Sequence, residues 1–345
     1  MKERISTLAQ VYALKPEKGR ILFSAEHEEI VQGATTDVYF VKTQEILEKS
    51  GLKDTVVTAE VFARRGGLLA GVPEVMALFQ NCDVKVWSLK EGDFFEPKEV
   101  VMRIEGKYAD FGIYETALLG IFASSSGWAT AAREAKEAAG DSLMLCFGAR
   151  HVHPAIAPVM ERAAIIGGAD GASCILGAKL AGKEPAGTVP HAIFLIMGDS
   201  VKVAKAYHDI MPSGEPRTVL IDTFKDEAEE SLRVAEALGT NLQGVRLDTP
   251  SERGGVTPQL VQEVRARLDQ KGFSHVKIFV SGGLSPERIR LLKEAGAHAF
   301  GVGSYISAAS PIEMTMDLKE IEGRPIAKRG RIPGIIPNER LKRML

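Results

Sequence analysis

The stretch from Val276 to Ser304 constrains the fold more than any other part of the chain, because it has the pattern of one strand–helix–strand unit. Val276–Val280 is an apolar, β-branched run typical of a buried parallel strand, and Pro286 stands where a helix can begin. Apolar residues continue at helical spacing as far as Gly296, and a second short strand begins at Ala299. Units of this kind build parallel sheets covered by helices.

Small residues follow both strands of this unit: Ser281-Gly282-Gly283 follow the first, and Gly301-Val302-Gly303-Ser304 end the second. Glycine lets the backbone approach an anion closely and point its N–H groups at it. Glycine loops after the last two strands of an α/β barrel are an established way to hold a phosphate. The pair therefore predicts a phosphate site. The alternative interpretation is two tight turns in an ordinary α/β protein.

The composition is that of a soluble globular protein of about two domains. The chain has 345 residues, of which 45% are apolar and 26% charged, and its net charge of −2 gives no support for binding to nucleic acid or membranes. Cys82, Cys146 and Cys174 lie far apart, which argues against a disulfide framework and a cysteine zinc site. The sequence shows no secretory leader and no apolar run that could span a bilayer, so a cytoplasmic location is expected.

The pattern of elements divides the chain into three parts. Residues 1–107 mix strands and helices without regular alternation, which predicts an N-terminal α+β domain. Residues 108–311 begin with a long helical segment that is interrupted at Ser124–Gly127, and then alternate strands with helices. This alternation predicts an irregular parallel α/β barrel with fewer than the eight strands of the standard barrel. Residues 312–345, which are basic and rich in Pro and Gly, are expected to form a tail that packs back on the first domain. The predicted barrel strands are Leu143–Phe147, His191–Ile196, Thr218–Asp222, Gly244–Leu247, Val276–Val280 and Ala299–Gly301.

Polar residues near the predicted strand ends are the candidates for chemistry, because barrel enzymes place their active sites at the carboxyl ends of the strands. They are Arg150, His151, Thr188, Asp222, Arg246 and Asp248. Arg246 and Asp248 are two residues apart, so both can face the barrel mouth. Two carboxylates and two arginines beside a phosphate cradle suit a magnesium-bound, polyphosphorylated substrate. The alternative for Asp222 is a cap on the following helix.

A series of short stretches, in order along nearly the whole chain, carries a resemblance to a known family. They are Thr36–Phe40, Asp110–Thr116, Phe147–Arg150, Ile166–Gly171, Gly187–His191, Leu220–Thr223, Arg246–Pro250, Ser281–Leu284 and Phe300–Gly303. Together they resemble nicotinate phosphoribosyltransferase, in the short archaeal-like branch of the type II phosphoribosyltransferases. The resemblance implies a two-domain enzyme with an irregular barrel, assembled as a homodimer with shared active sites or as a hexamer of dimers.

The resemblance also implies a reaction. Nicotinate and phosphoribosyl pyrophosphate would give nicotinate mononucleotide, a precursor of NAD, and pyrophosphate, with Mg²⁺ as cofactor and ATP as co-substrate. Ser281, Gly282, Gly283, Gly301, Gly303 and Ser304 would hold the 5-phosphate. Asp222 and Asp248 would contact the ribose hydroxyls, directly or through magnesium. Arg150 and Arg246 would face the pyrophosphate or the carboxylate of the base, with Thr188 and His151 completing the substrate-binding set.

Two further assignments come from the resemblance alone. Tyr39 of the partner subunit would cover the pyridine ring, and its alternative is an ordinary apolar contact on an amphipathic helix. His191 aligns with the histidine that becomes phosphorylated in enzymes that couple the reaction to ATP hydrolysis. Its alternative is a histidine at the barrel mouth that is satisfied by hydrogen bonds.

The chain departs from the family pattern in two places. His151 stands where close relatives carry a second arginine, and histidine lacks the bidentate clamp of arginine. The cysteine-rich tail of some relatives is missing, so no structural zinc is expected. Three alternatives stay open: a decarboxylating quinolinate phosphoribosyltransferase, a non-catalytic nucleotide-sensing protein of the same fold, and an unrelated phosphate-binding barrel. The last is disfavoured because no strand end carries a lysine.

Overall fold

The computed structural model describes residues 4–345, which form two compact units. The first unit runs to Gly127 and also contains Ser310–Leu345, and the second is Trp128–Ala309. The boundary therefore falls inside one long helix, and not at Tyr108, where the sequence pattern changes. No helix among the described residues is both long and apolar enough to cross a membrane.

The elements are numbered in chain order. The helices are α1 (Leu8–Ala13), α2 (His27–Gln32), α3 (Val38–Lys49), α4 (Val72–Leu78), α5 (Tyr108–Phe111), α6 (Glu115–Ala139), α7 (Ala157–Ile166), α8 (Ile175–Leu180), α9 (His191–Met197), α10 (Ser200–Ile210), α11 (Glu227–Leu238), α12 (Pro258–Gln270), α13 (Pro286–Glu294) and α14 (Ser304–Ser307). The strands are β1 (Val56–Ala63), β2 (Gly67–Leu68), β3 (Val84–Ser88), β4 (Phe94–Phe95), β5 (Val100–Lys107), β6 (Leu143–Cys146), β7 (Gly171–Ala172), β8 (Thr218–Leu220), β9 (Gly244–Leu247), β10 (Lys277–Ser281), β11 (Ala299–Val302), β12 (Met314–Ile321), β13 (Arg324–Pro325) and β14 (Lys342–Arg343).

The first unit is built on a six-stranded sheet in the order β13-β12-β1-β5-β3-β14, with antiparallel pairing throughout. Strand β1 is buried at every position after Val56. It pairs with β5 on one side and with β12 on the other, from Ala63 opposite Met314 to Val57 opposite Ile321. Residues 312–345 thus supply three strands of this sheet. The first of them, β12, lies inside the sheet between β1 and β13.

Helix α6 is continuous, so the predicted interruption at Ser124–Gly127 is wrong. The small residues serve close packing instead. Ser125 and Ser126 are buried, and Ser126 Oγ accepts a hydrogen bond from Ala70 N at 3.2 Å. A Cβ on Gly127 would lie 2.6 Å from the carbonyl oxygen of Ser310. The small side chains of Ser124–Gly127 allow close packing of the helix. From the amino-acid sequence alone, such a run of small residues cannot be distinguished from a helix break.

The second unit contains a six-stranded parallel sheet in the order β7-β6-β11-β10-β9-β8. The fold class predicted from the sequence is confirmed: an irregular parallel α/β domain with fewer than eight strands follows an N-terminal α+β domain. Helices connect successive strands along the chain. Thr257 and Ser285 are the N-caps of α12 and α13, and their side-chain oxygens accept hydrogen bonds from the first turn of each helix. Parallel pairing brings the carboxyl ends of all six strands to one edge of the sheet.

One predicted strand of this unit is wrong. Residues His191–Ile196 form the first six residues of α9, and the sixth strand is the very short β7. Pro190, in extended conformation, is the N-cap of α9, and Gly198 ends the helix with a φ of +73°. Only Phe194 on α9 is fully buried. A short apolar run fits a strand and a one-sided helix equally well, and in this case the flanking Pro and Gly were the better guide.

Candidate active site

A cavity of about 420 Å³ opens at the carboxyl ends of the strands of the second unit. Its lining contains most of the residues that the sequence singled out. These are Arg150, His151, Thr188, Arg246, Asp248, Ser281, Gly282, Gly283, Gly301, Gly303 and Ser304. The residues that sequence reasoning did not single out are Phe147, Ala149, Ser173 and Gly187. Ser173 follows β7, and a strand of two residues leaves no hydrophobic pattern that could have revealed it.

Arg246 is the most firmly held side chain in the lining. Its Nε donates to Ser281 Oγ at 2.9 Å, and its Nη1 donates to Thr188 Oγ1 at 2.7 Å. Its Nη2 lies 3.3 Å from Asp248 Oδ2, and its guanidinium stacks 5.3 Å from the ring centroid of Phe147. All three nitrogens and one face of the guanidinium are therefore fixed by protein groups. A cation held in this way is oriented before any ligand arrives.

Asp248 is the second member of this network. Ser281 Oγ donates to Asp248 Oδ1 at 2.6 Å and accepts from Arg246, so the hydroxyl joins the carboxylate to the guanidinium. The Asp248 side chain is 25% exposed and the Arg246 side chain 15% exposed. The network Thr188–Arg246–Ser281–Asp248 is thus reachable from the cavity, and it offers both a cationic and an anionic group to one ligand.

The corner after β10 is a pair of glycines with left-handed backbone. Gly282 has a φ of +91° and Gly283 a φ of +59°, which residues with side chains rarely adopt. A Cβ on Gly282 would also lie 3.3 Å from Asp248 Oδ1. Consecutive backbone N–H groups in such a corner form a concave anion-binding surface. The corner therefore has the geometry that the predicted phosphate site requires.

Gly301 in β11 and Gly303 just after it are required for a different reason, namely the space that neighbouring side chains occupy. A Cβ on Gly301 would lie 2.5 Å from the ring of Phe147, and a Cβ on Gly303 would lie 2.9 Å from His151 Cε1 and 3.0 Å from Phe147 O. Both glycines make room for the residues that follow β6. The sequence predicts Gly301 and Gly303 as part of a phosphate site but gives no sign of this packing against Phe147 and His151.

Arg150 and His151 line the cavity just after β6. Both are exposed, and both lie on the 3₁₀ turn Ala149–His151. His151 Nδ1 is 3.2 Å from Ser307 Oγ. This contact orients the imidazole, whereas the guanidinium of Arg150, which also lines the cavity, has no hydrogen-bond partner within residues 4–345.

His191 and Asp222 lie outside the cavity lining and contact each other, with His191 Nε2 3.1 Å from Asp222 Oδ1. The Asp222 side chain is completely buried, whereas that of His191 is 41% exposed. Burial raises the pKa of Asp222, and the neighbouring His191 opposes this shift. Asp222 does not cap the following helix, because Asp226 does so by accepting from Ala228 N and Glu229 N. The capping alternative for Asp222 is therefore wrong.

Two buried oxygens beside this pair have no hydrogen-bond partner within residues 4–345: Asp222 Oδ2 and Thr223 Oγ1. In the same part of the chain, no group of three or more His, Cys, Asp or Glu side chains could hold a metal by itself. A magnesium ion that takes one or two carboxylates and completes its shell with substrate phosphates does not need such a group. The unpartnered oxygen of Asp222 fits that kind of site.

Tyr39 lies in the first unit, on α3, and its side chain does not line this cavity. It is 55% exposed and packs against Phe40, with the ring centroids 4.3 Å apart. Its expected role, covering the base bound by a partner subunit, stays a prediction.

Comparison with known proteins gives a family for both halves of the chain. Residues 37–126 match the model of the N-terminal domain of quinolinate phosphoribosyl transferase, and residues 128–317 match the model of its C-terminal domain. A solved structure of nicotinate-nucleotide pyrophosphorylase from Pyrococcus furiosus is 46% identical, with a TM-score of 0.88 over 92% of this chain and 82% of that one.

The curated relatives are named as two different enzymes. Nicotinate phosphoribosyltransferase of Mycobacterium tuberculosis is 26% identical over an alignment of 339 residues that covers 86% of this chain and 74% of that protein. The probable nicotinate-nucleotide pyrophosphorylase (carboxylating) of Methanothermobacter thermautotrophicus is 22% identical over 276 residues, 78% of this chain and 91% of that protein.

The assignment to nicotinate phosphoribosyltransferase made from the motifs is wrong. Both matching family models describe quinolinate phosphoribosyl transferase, and the Pyrococcus furiosus structure is more similar in sequence than the Mycobacterium tuberculosis enzyme. The physical reason lies in where the motifs fall. The glycine corners and the Arg246–Asp248 network are groups suited to phosphate and ribose, so they do not discriminate between pyridine bases.

Proposed function

Since this chain belongs to the quinolinate phosphoribosyl transferase family and is a phosphoribosyltransferase of NAD biosynthesis, we propose that its base is quinolinate. The reaction would join quinolinate to phosphoribosyl pyrophosphate and release pyrophosphate and carbon dioxide, leaving nicotinate mononucleotide. The observation that carries the proposal is the match of both domains to the quinolinate family, combined with a cavity whose lining is cationic on one side and glycine-rich on the other.

The glycine-rich side suits the 5-phosphate of phosphoribosyl pyrophosphate. The left-handed corner Gly282–Gly283 offers backbone N–H groups, and Gly303 and Ser304 stand in the same lining. Asp248 lies beside this corner, where its exposed carboxylate can accept hydrogen bonds from ribose hydroxyls. The phosphate and the ribose would therefore lie along the ends of β9, β10 and β11.

The cationic side suits the two other anions of the reaction. Quinolinate carries adjacent carboxylates on its ring, and pyrophosphate leaves with several negative charges. Arg246 is already fixed, and Arg150 and His151 supply further donors from the exposed turn after β6. Arginine forms paired hydrogen bonds with planar carboxylates, so Arg150 is our candidate for the base.

Mg²⁺ is our proposed cofactor, with Asp222 and Asp248 as the residues that would hold it. The residues fit, because Asp222 Oδ2 is buried without a hydrogen-bond partner in the described chain and Asp248 is exposed to the cavity. When bound, the ion would neutralise charge on the pyrophosphate group.

The chain's own residues need to supply no nucleophile for this chemistry. The ring nitrogen of the base forms a bond to C1 of the ribose while the bond from C1 to the pyrophosphate oxygen breaks with its electron pair. The transition state has oxocarbenium character, as at other glycosidic centres. The bond from C2 of the ring to its carboxylate then breaks, the electron pair stays on C2 beside the cationic nitrogen, and C2 takes a proton from water. Arg150, His151 and Arg246 hold the anions in line, which supplies orientation and charge stabilisation.

ATP is not required by this proposal, because release of carbon dioxide already drives the reaction forward. The expectation that ATP is a co-substrate acting through His191 stays a prediction. The contact between His191 and Asp222 gives the alternative role of the histidine a definite partner.

The test is a pyrophosphate-release assay with phosphoribosyl pyrophosphate and Mg²⁺, supplied with quinolinate, nicotinate or nicotinamide, each with and without ATP. We expect turnover with quinolinate, with one carbon dioxide released per pyrophosphate when the 2-carboxylate is labelled. Asp248→Asn keeps the shape of the side chain and removes its charge, so it should lower this turnover by roughly a hundredfold. Turnover with nicotinate and none with quinolinate would overturn the proposal.

A further inference from the structure

Glu161, on α7, is a fully buried glutamate that contacts two of the loops lining the cavity. Its Oε1 accepts hydrogen bonds from Ala149 N at 3.1 Å and from Ser173 Oγ at 3.0 Å, and its Oε2 accepts one from Cys174 N at 2.5 Å. One side chain therefore joins the loop after β6 to the loop after β7.

We infer that Glu161 is a positioning residue, which holds these two loops together and thereby sets where Arg150, His151 and Ser173 stand for the anionic ligand. The inference deepens the proposed function and rests on it for the identity of the base. Arg150 and His151 directly follow Ala149 in one tight turn, so a displacement of the Ala149 N–H displaces both side chains.

Backbone pairing between β6 and β7 does not extend into the two loops that follow these strands. The ladder between β6 and β7 has only two register pairs, Leu145 with Gly171 and Cys146 with Ala172. One more backbone hydrogen bond follows, from Ser173 N to Cys146 O at 3.1 Å. Beyond it, the carboxylate of Glu161 provides the cross-links, and two of the residues it joins, Ala149 and Ser173, line the cavity.

A carboxylate is the group that this place requires. The three groups that donate to Glu161 are neutral, and a carboxylate has enough lone pairs to accept from all of them. Burial raises the pKa of Glu161, and the hydrogen bonds from Cys174, Ser173 and Ala149 oppose this rise. A glutamine would place an NH₂ group among N–H and O–H donors, and either orientation of the amide would leave donors facing each other.

The test compares Glu161→Gln with Glu230→Gln. Glu230 is also fully buried in the second unit, but its carboxylate pairs with Arg233, which is not part of the cavity lining. Hydrogen exchange is followed in the segments 148–151 and 172–175. Binding of inorganic pyrophosphate with Mg²⁺ is measured by calorimetry, and kinetics are measured with the pyridine acid that the wild type uses.

We expect exchange in both segments to be about tenfold faster in Glu161→Gln and unchanged in Glu230→Gln, because one charged hydrogen bond is worth roughly a tenfold change in such an equilibrium. The Kd for pyrophosphate and the KM for the base should rise by about the same factor, with kcat changing much less. Glu161→Asp retains the charge but is one methylene shorter, so it should show the same changes to a smaller degree.

Wild-type exchange rates or wild-type pyrophosphate affinity in a folded Glu161→Gln would overturn the inference. If that variant does not fold, Glu161→Asp decides the question by the same two measurements. If the wild type turns over a base other than quinolinate, the proposed function fails while exchange and pyrophosphate binding still test Glu161.

Discussion

At the scale of single residues, the cavity depends on side chains that hold one another before a ligand binds. Arg246 makes three polar contacts and one stacking contact, and each partner comes from a different segment of the chain. The sequence revealed Arg246 and Asp248 because they are two residues apart at a strand end. It did not reveal Phe147 as the stacking partner or Glu161 as the anchor, since both appear in sequence as ordinary residues of a strand end and a helix.

Arg246→Lys tests whether this arrangement matters beyond its charge. Lysine keeps the positive charge but cannot contact Thr188, Ser281 and Asp248 at once, and it stacks less well on Phe147. We expect kcat/KM to fall by roughly a hundredfold, equivalent to about 2.7 kcal/mol of transition-state stabilisation, with little change in Tm. The measurement is steady-state kinetics beside thermal unfolding, and activity within threefold of wild type would mean that the charge alone is sufficient.

Gly303→Ala tests the packing that makes this glycine necessary. The new Cβ would meet His151 Cε1 and Phe147 O at distances that real Cβ atoms barely tolerate, so His151 must move away from the cavity wall. We expect the KM for phosphoribosyl pyrophosphate to rise about tenfold, since one contact to an anion is lost. Gly187→Ala is the matched control: Gly187 lines the same cavity, and its Cβ would meet nothing within 4 Å. Equal KM values in the two variants would contradict this account.

At the scale of elements, the sequence predicted best where a hydrophobic period and end signals agree. The bounds of β9 are those predicted, and α13 begins at the predicted proline, Pro286. The sequence failed where one signal stood alone. The apolar run at the start of α9 suggested a strand, and the serines and glycine inside α6 suggested a break. Strand β12 was hidden in a basic segment because two of its buried positions carry charge, Asp317 and Lys319.

Buried charges also fix the segment after β12 to the sheet of the first unit. Glu60, completely buried on β1, accepts from Arg103 Nε at 2.9 Å and Nη2 at 2.8 Å, and from Ile336 N at 3.1 Å. Lys319 Nζ donates to Ile332 O, and Asp317 pairs with Lys328 and Arg331. These contacts join residues 328–336 to the sheet without a continuous hydrophobic seam.

Glu60→Gln removes the charge on which this attachment depends. Breaking a buried pair leaves Arg103 without its counter-charge, and we expect the free energy of unfolding to fall by roughly 3 kcal/mol. Urea unfolding measures the change, and limited proteolysis should show earlier cleavage within residues 328–336. Glu105→Gln is the control, because Glu105 forms an exposed pair with Lys85 and should change stability by less than about 0.5 kcal/mol. Similar losses in the two variants would contradict a special role for Glu60.

At the scale of the whole molecule, the sequence predicted two domains, a barrel of fewer than eight strands, and most of the cavity lining. It did not predict the pyridine base. The reason is physical: the phosphate and ribose groups require particular backbone and charge patterns at strand ends, which are local in sequence. We expect the base to be distinguished by a few side chains, such as Arg150, whose positions depend on contacts between loops that are distant in the chain.

Stability of the whole molecule should depend on Glu115. Burial, reinforced by the nearby Asp317, raises the pKa of Glu115 to about 7, while Lys328 opposes the shift. The folded protein therefore holds a proton that the unfolded chain loses near pH 4.5, so this group stabilises the fold at low pH and the contribution is lost as pH rises towards 7. Glu115→Gln should flatten the pH dependence of the free energy of unfolding between pH 5 and 8, by an amount on the order of 1 kcal/mol because Glu115 is only partly buried. Urea unfolding at a series of pH values measures the change. An unchanged pH profile in the variant would contradict this pKa.

The position of β12 beside β1 has a consequence for synthesis on the ribosome. Strand β1 emerges early, yet one of its two neighbours lies at residues 314–321, after the whole second unit. The second unit can therefore complete its sheet during translation, while the first must wait with an unpaired edge until nearly all of the chain has been made. An open strand edge invites pairing with other nascent chains. Production of this protein should consequently benefit from chaperones that cover nascent strands, and shortening the chain before residue 321 should cost the first unit its fold while sparing the second.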